Sequence, residues 1–144
     1  MATSREIHLI SRPVGAPGRD NFKMVSVDVG PPGAGEVQVR NRWMAVDPAM
    51  RGRMSDAKSY VPPFELNSPM EGPSIGEVLV SNDPAFKKGD IVWSRLGWRE
   101  IFNARASDVQ KRDCSILPEQ AYLGFAGMTG LTAYVGLLEC ASLK

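Results

Sequence analysis

The chain has 144 residues, enough for one domain with a hydrophobic core that needs neither disulfides nor a metal. Seventeen Lys and Arg against sixteen Asp and Glu give a formal charge of +1, which provides no electrostatic basis for binding nucleic acid or an anionic membrane surface. No apolar run approaches the roughly 18 to 20 residues of a membrane span, and charges interrupt the apolar patch of the N terminus, unlike a signal peptide. We therefore expect a cytoplasmic protein.

Most of the chain has the pattern of short strands separated by turns. Valines alternate with polar residues over residues 25–29, and the alternation is cleaner in the next strand, which begins at Glu36. We expect this strand to bury Val37, Val39, Trp43 and Ala45 and to expose Gln38, Arg40 and Arg42. Further strands are predicted at 74–81, 91–93 and 98–102. Eleven prolines and fourteen glycines fit a barrel or a sandwich.

The residues that most often hold metals or form disulfides are few. Cys114 and Cys140 are far apart and form no C-x-x-C motif, so neither a disulfide framework nor a zinc site is indicated. His8 is the only histidine and lies in an alternating strand, which favours a structural role over a role as ligand or base. The sequence therefore predicts no metal site.

A mixed cationic and apolar segment, residues 46–54, follows the second strand. The Asp47-Pro48 step ends that strand, because proline removes a backbone donor and favours an extended predecessor. Residues 50–54, Met-Arg-Gly-Arg-Met, then mix cations with flexible apolar side chains, and they could line a pocket for an apolar molecule with a polar or anionic group. A surface turn with solvated arginines is an equally good interpretation.

The next segment, residues 55–68, is a proline-rich loop. Tyr60 and Phe64 stand at the two ends of its Tyr-Val-Pro-Pro-Phe stretch, which has too many prolines for a helix or a strand. Two roles remain open for this loop: a cover over a pocket, or a packed connection.

An apolar helix is predicted at the end of the chain, within residues 124–138. Leu131, Val135 and Leu138 recur at helical spacing, and the breadth of the apolar stripe predicts that the helix is buried. Thr129 is the predicted N-cap. The preceding G-x-x-G-x-x-G pattern either leaves backbone amides open to a ligand or lets the helix pack tightly on a sheet. A helical turn with Pro118 at its first position is expected just before it.

Catalytic constellations built from side chains alone are missing from the sequence. We find no nucleophile with a histidine partner, no phosphate-binding loop with lysine and no paired carboxylates. Composition and spacing alone indicate a mostly β domain with a buried C-terminal helix.

Four segments in order resemble one family of enzymes. The segments are Asn41–Met54 (NRWMAVDPAMRGRM), Ser81–Trp93 (SNDPAFKKGDIVW), Gly97–Phe102 (GWREIF) and Gly127–Glu139 (GMTGLTAYVGLLE). They are similar to the zinc-independent medium-chain reductases, which include prostaglandin reductase, leukotriene B4 12-hydroxydehydrogenase and plant 2-alkenal reductase. The resemblance implies a mostly β, GroES-like, partly open β-barrel over residues 1–122. It also implies that residues 123–144 lead into a Rossmann domain absent from this chain, so that the chain is a fragment.

The resemblance further implies a reaction and a cofactor. Members of the family use NADPH to reduce the carbon–carbon double bond of α,β-unsaturated aldehydes and ketones, and the enolate that develops needs hydrogen bonds more than it needs zinc. By similarity, Met128 and Thr132 contact the nicotinamide end of NADP(H), and Pro48 shapes the same wall. The main cofactor site is expected in the missing domain, so the fragment alone should be inactive.

The substrate pocket departs from the family pattern at one position. The family usually has Asp-Pro-Tyr-Met, but this chain has Ala49 between Pro48 and Met50, so an aromatic wall is missing. We place Ala49, Met50 and Tyr60 in the substrate pocket, with Tyr60 as a conceivable replacement for the tyrosine. A small-molecule enal or enone and a homodimeric full-length protein are the expected partners, with no nucleic acid and no membrane.

Two alternatives stay open at this point. The first is a quinone reductase of the same fold, and the second is a stand-alone GroES-like module that binds a ligand or a protein without catalysis. If a partner domain has been removed, the C-terminal helix should be exposed, and we expect the chain to self-associate.

Overall fold

The computed structural model describes residues 2–142, and most of this part of the chain folds into antiparallel sheets. The strands are β1 (Ala2–Leu9), β2 (Phe22–Val29), β3 (Glu36–Met44), β4 (Ser68–Pro69), β5 (Ser74–Ser81), β6 (Ile91–Ser94), β7 (Ile101–Arg105) and β8 (Gln110–Lys111). The helices are α1 (Pro48–Arg53) and α2 (Met128–Tyr134), which continues as a π-helical segment (Val135–Cys140). Single 3-10 turns lie at Arg19–Asn21, Ala106–Asp108 and Glu119–Leu123.

The strands form two sheets that do not close into a continuous barrel. One sheet has the order β2-β1-β4, and the other has the order β7-β3-β5-β6-β8. The two sheets are joined where β1 runs beside the segment before β7: Ile7 N–H donates to Trp98 O (2.8 Å) and Glu100 N–H donates to Arg5 O (3.0 Å). This confirms the predicted mostly β, partly open barrel.

Two apolar clusters form the core. The first lies within the larger sheet and contains Val37, Val39, Val78, Val92, Phe102, Ala104 and Val109. The second lies between β1, α1 and the loop that follows α1, and it contains Leu9, Met50, Met54, Phe64 and Met70. The second cluster fixes α1 against the smaller sheet, so the end of β3 leads into a helix that has a defined position.

The predicted alternation of β3 holds for four of its residues and fails for two. Val37 and Val39 are buried and Arg40 and Arg42 are exposed as expected, but Gln38 is also buried and Trp43 is 44% exposed, so the prediction is wrong for both residues. Ala45, just after the strand, is half-buried instead of buried. The cause of the exposure of Trp43 is a register shift against β5 between Asn41 and Trp43, where Arg42 is an extra residue of β3. Such an extra residue changes which face the following side chains occupy. Gln38 satisfies its amide by donating to Gly30 O (2.9 Å) and Asn103 Oδ1 (3.1 Å).

The C-terminal helix also differs from the prediction. It begins at Met128 after Gly127, and Thr129 is inside the helix, where its hydroxyl donates to Gly124 O (2.7 Å) rather than capping. The prediction that this helix is buried is wrong for the described residues, since Leu131, Tyr134 and Leu137 are each more than half exposed. The turn before it begins at Glu119, and Pro118 precedes that turn instead of opening it.

Candidate functional site

The corner between β3 and α1 positions Pro48 and Ala49 on the surface. Asp47 caps α1, because its carboxylate accepts from the Ala49 N–H (2.7 Å), and Pro48 occupies a first-turn position where no N–H is needed. Pro48 and Ala49 are exposed, whereas Met50 is only 6% exposed and belongs to the second core cluster. Of the three corner residues singled out from the sequence, two therefore face solvent and one faces the core.

The arginines of the corner bind neighbouring loops. Arg51 donates to Gly15 O (2.6 Å) and to Pro13 O (3.3 Å). Arg53 donates to Pro62 O (3.0 Å), pairs with Glu71 (3.2 Å) and lies 4.1 Å from the centre of the Phe64 ring. Neither arginine is simply solvated, and both are already occupied by protein groups. Arg51 binds the loop after β1 and Arg53 binds the loop after α1, so neither guanidinium group is free to bind an anionic ligand.

The proline-rich loop has one fixed end and one free end. Phe64 is 4% exposed and is part of the core, and its N–H donates to Arg53 O (2.7 Å). Tyr60 is 97% exposed, so its ring contacts almost no protein atoms. The loop is thus a packed connection at Phe64, while Tyr60 is available to a ligand or to another part of the protein.

The glycines before the C-terminal helix have a local structural reason. A Cβ at Gly130 would lie 2.5 Å from the Phe125 carbonyl carbon and closer still to its oxygen, and a Cβ at Gly127 would overlap the Tyr122 carbonyl oxygen. The residues before the helix therefore fold back against its first turn, and any side chain at these two glycines would push them apart. Packing of this helix on a sheet, the alternative considered from the sequence, is wrong: the glycines pack against the preceding turn.

This tight turn leaves two predicted cofactor contacts on the surface. Met128 is 76% exposed, and Thr132 is exposed one turn further along α2. The Thr132 hydroxyl donates to Met128 O (2.7 Å), so its proton is used within the helix while its oxygen can still accept. A carboxamide N–H is a suitable donor to that oxygen.

The predicted site residues thus occupy two separate surfaces. Pro48 and Ala49 are on α1, and Met128 and Thr132 are on α2; among residues 2–142 no hydrogen bond joins these two helices. Two surface cavities lie elsewhere. One, of about 470 Å³, is lined by Ala2, Val29, Gly30, Pro31, Pro32, Gln38 and Val80. The other, of about 190 Å³, is lined by Arg5, Ile7, Met24, Met44, Trp98, Arg99 and Glu100.

A polar contact between the end of β3 and the turn before α2 was not found from the sequence. Glu119 forms an ion pair with Arg42 Nη1 (3.0 Å) and accepts a hydrogen bond from Trp43 Nε1 (3.0 Å), and Arg42 also lies 3.9 Å from Glu77. We call Arg42, Trp43, Glu77 and Glu119 the Glu119 cluster. The only sequence signal was an acidic residue after a proline, which indicates a turn but not its partners.

The Cys114 thiol, whose pKa is affected by burial and by Glu119, is protonated and therefore unreactive. Burial raises the pKa of Cys114, and the Glu119 and Asp113 carboxylates raise it further, so the thiol stays protonated at neutral pH. Across the described part of the chain, no group of three or more His, Cys, Asp or Glu could hold a metal ion. In the same part, none of the helices has the length and apolar character needed to cross a membrane.

Comparison with known proteins places the fold in an enzyme family. Residues 5–111 match the family described as the N-terminal domain of oxidoreductase. The chain is 40% identical to the NADPH-dependent curcumin reductase of Escherichia coli (strain K12) over 136 residues, which are 94% of this chain and 39% of that protein. It is 34% identical to the NADP(+)-dependent 2-alkenal reductase of Nicotiana tabacum over 148 residues, covering 99% of this chain and 43% of that protein.

A solved structure agrees with these relatives. CurA from Vibrio vulnificus, solved in complex with NADPH, superposes with a TM-score of 0.86 at 38% identity, covering 94% of this chain and 40% of that one. The chain thus spans about two fifths of the length of the relatives that it matches. It belongs to the family of oxidoreductase N-terminal domains, among the zinc-independent medium-chain dehydrogenases and reductases.

Proposed function

We propose that this chain is the substrate-side domain of an NADPH-dependent reductase that acts on the carbon–carbon double bond of α,β-unsaturated aldehydes or ketones. Similarity to the 2-alkenal reductase supports this most directly, because the name of that enzyme specifies both the cofactor and the substrate class. Residues 1–122 would form the GroES-like domain, and residues 123–144 would connect it to a nucleotide-binding domain. The full-length protein would be a homodimer.

The exposed apolar surface of the C-terminal helix supports the proposal that a further domain packs against it. Met128, Leu131 and Tyr134 are 76%, 56% and 59% exposed, which is an unusual concentration of apolar surface for a domain that is stable alone. A nucleotide-binding domain that follows in the chain would cover this surface. The same domain would supply most of the cofactor site, and this chain would add Pro48, Met128 and Thr132 at the nicotinamide end.

When bound, NADPH supplies a hydride to the β-carbon of the conjugated substrate, whose carbonyl group is already the electron sink. Thr132 would orient the nicotinamide, because its hydroxyl oxygen can accept from a carboxamide N–H. The thioether of Met128 would pack against the ring, and Pro48 would limit the width of the cleft. Ala49 would leave room beside the substrate, and Tyr60 would close that side of the pocket, with Met50 supporting the wall from the core.

NADPH oxidation tests this proposal. We expect no turnover from residues 1–144 and turnover of a medium-chain 2-alkenal by a protein in which this chain is followed by a nucleotide-binding domain. The saturated aldehyde of equal length is the matched control, because it lacks the double bond. A quinone assayed alongside tests the second candidate. The proposal would be contradicted if the extended protein failed to oxidise NADPH with every activated alkene tested.

A substitution at Thr132 tests its role in that protein. Thr132→Val keeps the shape of the side chain and removes the accepting oxygen, so we expect the KM for NADPH to rise about fivefold to tenfold, equivalent to one net hydrogen bond of about 1 kcal/mol. The matched control is Thr3→Val, on the exposed face of β1, which should leave KM unchanged. Equal KM values for the two variants would argue against Thr132 as a cofactor contact.

A further inference from the structure

Glu119 joins the two surfaces that hold the proposed cofactor contacts. One of its carboxylate oxygens forms an ion pair with Arg42 Nη1 (3.0 Å), and the other accepts a hydrogen bond from Trp43 Nε1 (3.0 Å). The Glu119 side chain is only 16% exposed, so the two contacts compete less with water than they would on an open surface. One residue of the turn before α2 is therefore held by two consecutive residues of β3.

The β-bulge in β3 makes this double contact possible. Neighbouring residues of a regular strand point to opposite faces and could not reach the same carboxylate. Here Asn41 pairs with Gly76 and Trp43 pairs with Ile75, so Arg42 is an extra residue without a partner on β5. Such an extra residue changes the direction of the side chains around it. The backbones also approach closely at this point, because a Cβ at Gly76 would lie 2.6 Å from Arg40 O.

Both ends of this contact lead directly to proposed site residues. Along β3, Trp43 is five residues before Pro48, and Ala45 N–H donates to Pro73 O (2.9 Å), which fixes the path into α1. From Glu119, the 3-10 turn leads to Phe125, whose carbonyl group packs against Gly130 in the first turn of α2. The position of Glu119 therefore determines the position of α2, because the turn that connects them has little freedom to deform.

We propose that Glu119 is a positioning residue that sets the distance of Pro48 from Met128 and Thr132 at the cofactor site. This inference rests on the proposed function, because it assumes that these residues face the nicotinamide. Glu119 does not contact the reacting atoms. It acts through β3 and through the turn before α2, and its loss should disturb alignment more than it disturbs folding.

Amide exchange in the 144-residue chain tests the structural half of this proposal. Glu119→Gln keeps the volume of the side chain, but an amide can accept from only one of the two donors and places its NH₂ group against the other. We expect exchange at Gly127 and Leu131, whose amides donate to Gly124 O and Gly127 O (both 3.0 Å), to become about tenfold faster. Trp43→Phe, which removes only the indole N–H, should act in the same direction, and Asp20→Asn on an exposed turn should have no effect.

Kinetics with deuterated cofactor test the functional half, in the protein that also contains the nucleotide-binding domain. If alignment is lost, kcat should fall about tenfold in Glu119→Gln, and the isotope effect from 4-deuterated NADPH should rise because hydride transfer becomes slower than the other steps. The KM for the 2-alkenal should stay within about twofold of its original value. A merely structural role would reduce the active fraction and leave the isotope effect unchanged.

A double variant tests whether Glu119 and Trp43 act through the same contact. Glu119→Gln combined with Trp43→Phe should change kcat by less than the product of the single effects, because the two residues share one hydrogen bond. An active wild-type protein whose Glu119→Gln variant keeps the original exchange rates and isotope effect would overturn this inference alone. A wild-type protein without turnover of any activated alkene would overturn the proposed function and this inference with it.

Discussion

The larger sheet and the C-terminal helix contain the same kinds of apolar residue but bury them to opposite extents. Val37, Val39 and Val78 of the sheet are at most 1% exposed, whereas Leu131 and Leu137 of the helix are 56% and 51% exposed. The sheet is therefore stabilised by packing, while the helix depends on its own hydrogen bonds and on the tight turn before it. Isolated helices of about 12 residues are marginal in water, so the helix should be the first region to open.

The largest expected effect comes from making the same substitution in the packed core of the domain and in the C-terminal helix. Leu9→Ala removes a side chain with 0% exposure from the second core cluster, and we expect it to lower the free energy of unfolding by about 2 to 5 kcal/mol. Leu131→Ala should change it by less than about 0.5 kcal/mol, because little packing is lost and alanine favours helix. Chemical denaturation followed by tryptophan fluorescence measures both values.

Equal losses in the two variants would contradict the distinction between the regions. They would show that Leu131 is covered in solution, for example by self-association of the exposed helices. Sedimentation of the wild-type chain over a range of concentrations distinguishes this case, because self-association would appear as a mass that rises with concentration.

The next largest effect concerns the turn that supports the helix. Gly130→Ala places a methyl group where the Phe125 carbonyl group lies, whereas Gly136→Ala places the same group where no atom lies within 4 Å. We expect the first substitution to reduce the stability of the helix by about 1 to 3 kcal/mol and the second to increase it by up to about 1 kcal/mol. Amide exchange at Leu131 should therefore become faster in Gly130→Ala and slower in Gly136→Ala.

An unchanged exchange rate at Leu131 in Gly130→Ala would contradict the close packing of this turn. The turn of residues 122–125 would then not be packed against α2, and the glycines would have to be explained by a ligand that approaches the backbone. A cofactor-dependent change in exchange at Gly127 would be the corresponding observation.

The strands were predictable because alternation is a local property of the sequence. Residues 25–29 and the start of β3 follow the polar and apolar pattern, and the motif resemblance added the partly open barrel. The exposure of Trp43 was not predictable, because a β-bulge depends on the register with a neighbouring strand. The burial of the C-terminal helix was wrongly predicted, since an apolar stripe indicates that a partner is needed but not that one is present.

The candidate site was predictable in its residue types more than in its arrangement. Pro48, Ala49, Met128 and Thr132 are on the surface, as site residues need to be, but the sequence did not indicate that Met50 faces the core. It also did not indicate that Arg51 and Arg53 are occupied by backbone oxygens of distant loops. Such contacts depend on tertiary structure. Their role as a site stays a prediction.

The smallest expected effect comes from removing an ion pair, which the larger sheet has and the described part of the C-terminal helix lacks. At the edge of the larger sheet, Asp90 accepts from Lys111 Nζ (2.7 Å) and from Lys87 N–H (2.9 Å), whereas within the described residues the C-terminal helix has no ion pair. The hydrogen bond from Lys111 lowers the pKa of Asp90 below its ordinary value of 3.8, against the opposing effect of burial. A carboxyl group whose pKa is lower in the folded state stabilises the protein fully above its unfolded pKa and loses this contribution as pH falls through the folded value.

Asp90→Asn should therefore lower the free energy of unfolding by about 0.5 to 1 kcal/mol at pH 7, and the difference from the wild type should shrink as pH falls below about 4. Asp56→Asn, in an exposed part of the loop after α1, is the matched control and should have no effect at either pH. Denaturation curves at several pH values give these differences, and amide exchange of the C-terminal helix should be the same in all three proteins. A difference for Asp90→Asn that persists at the lowest pH would mean that shape, and not charge, explains the contribution of Asp90, because protonation would already have removed the ion pair from the wild type.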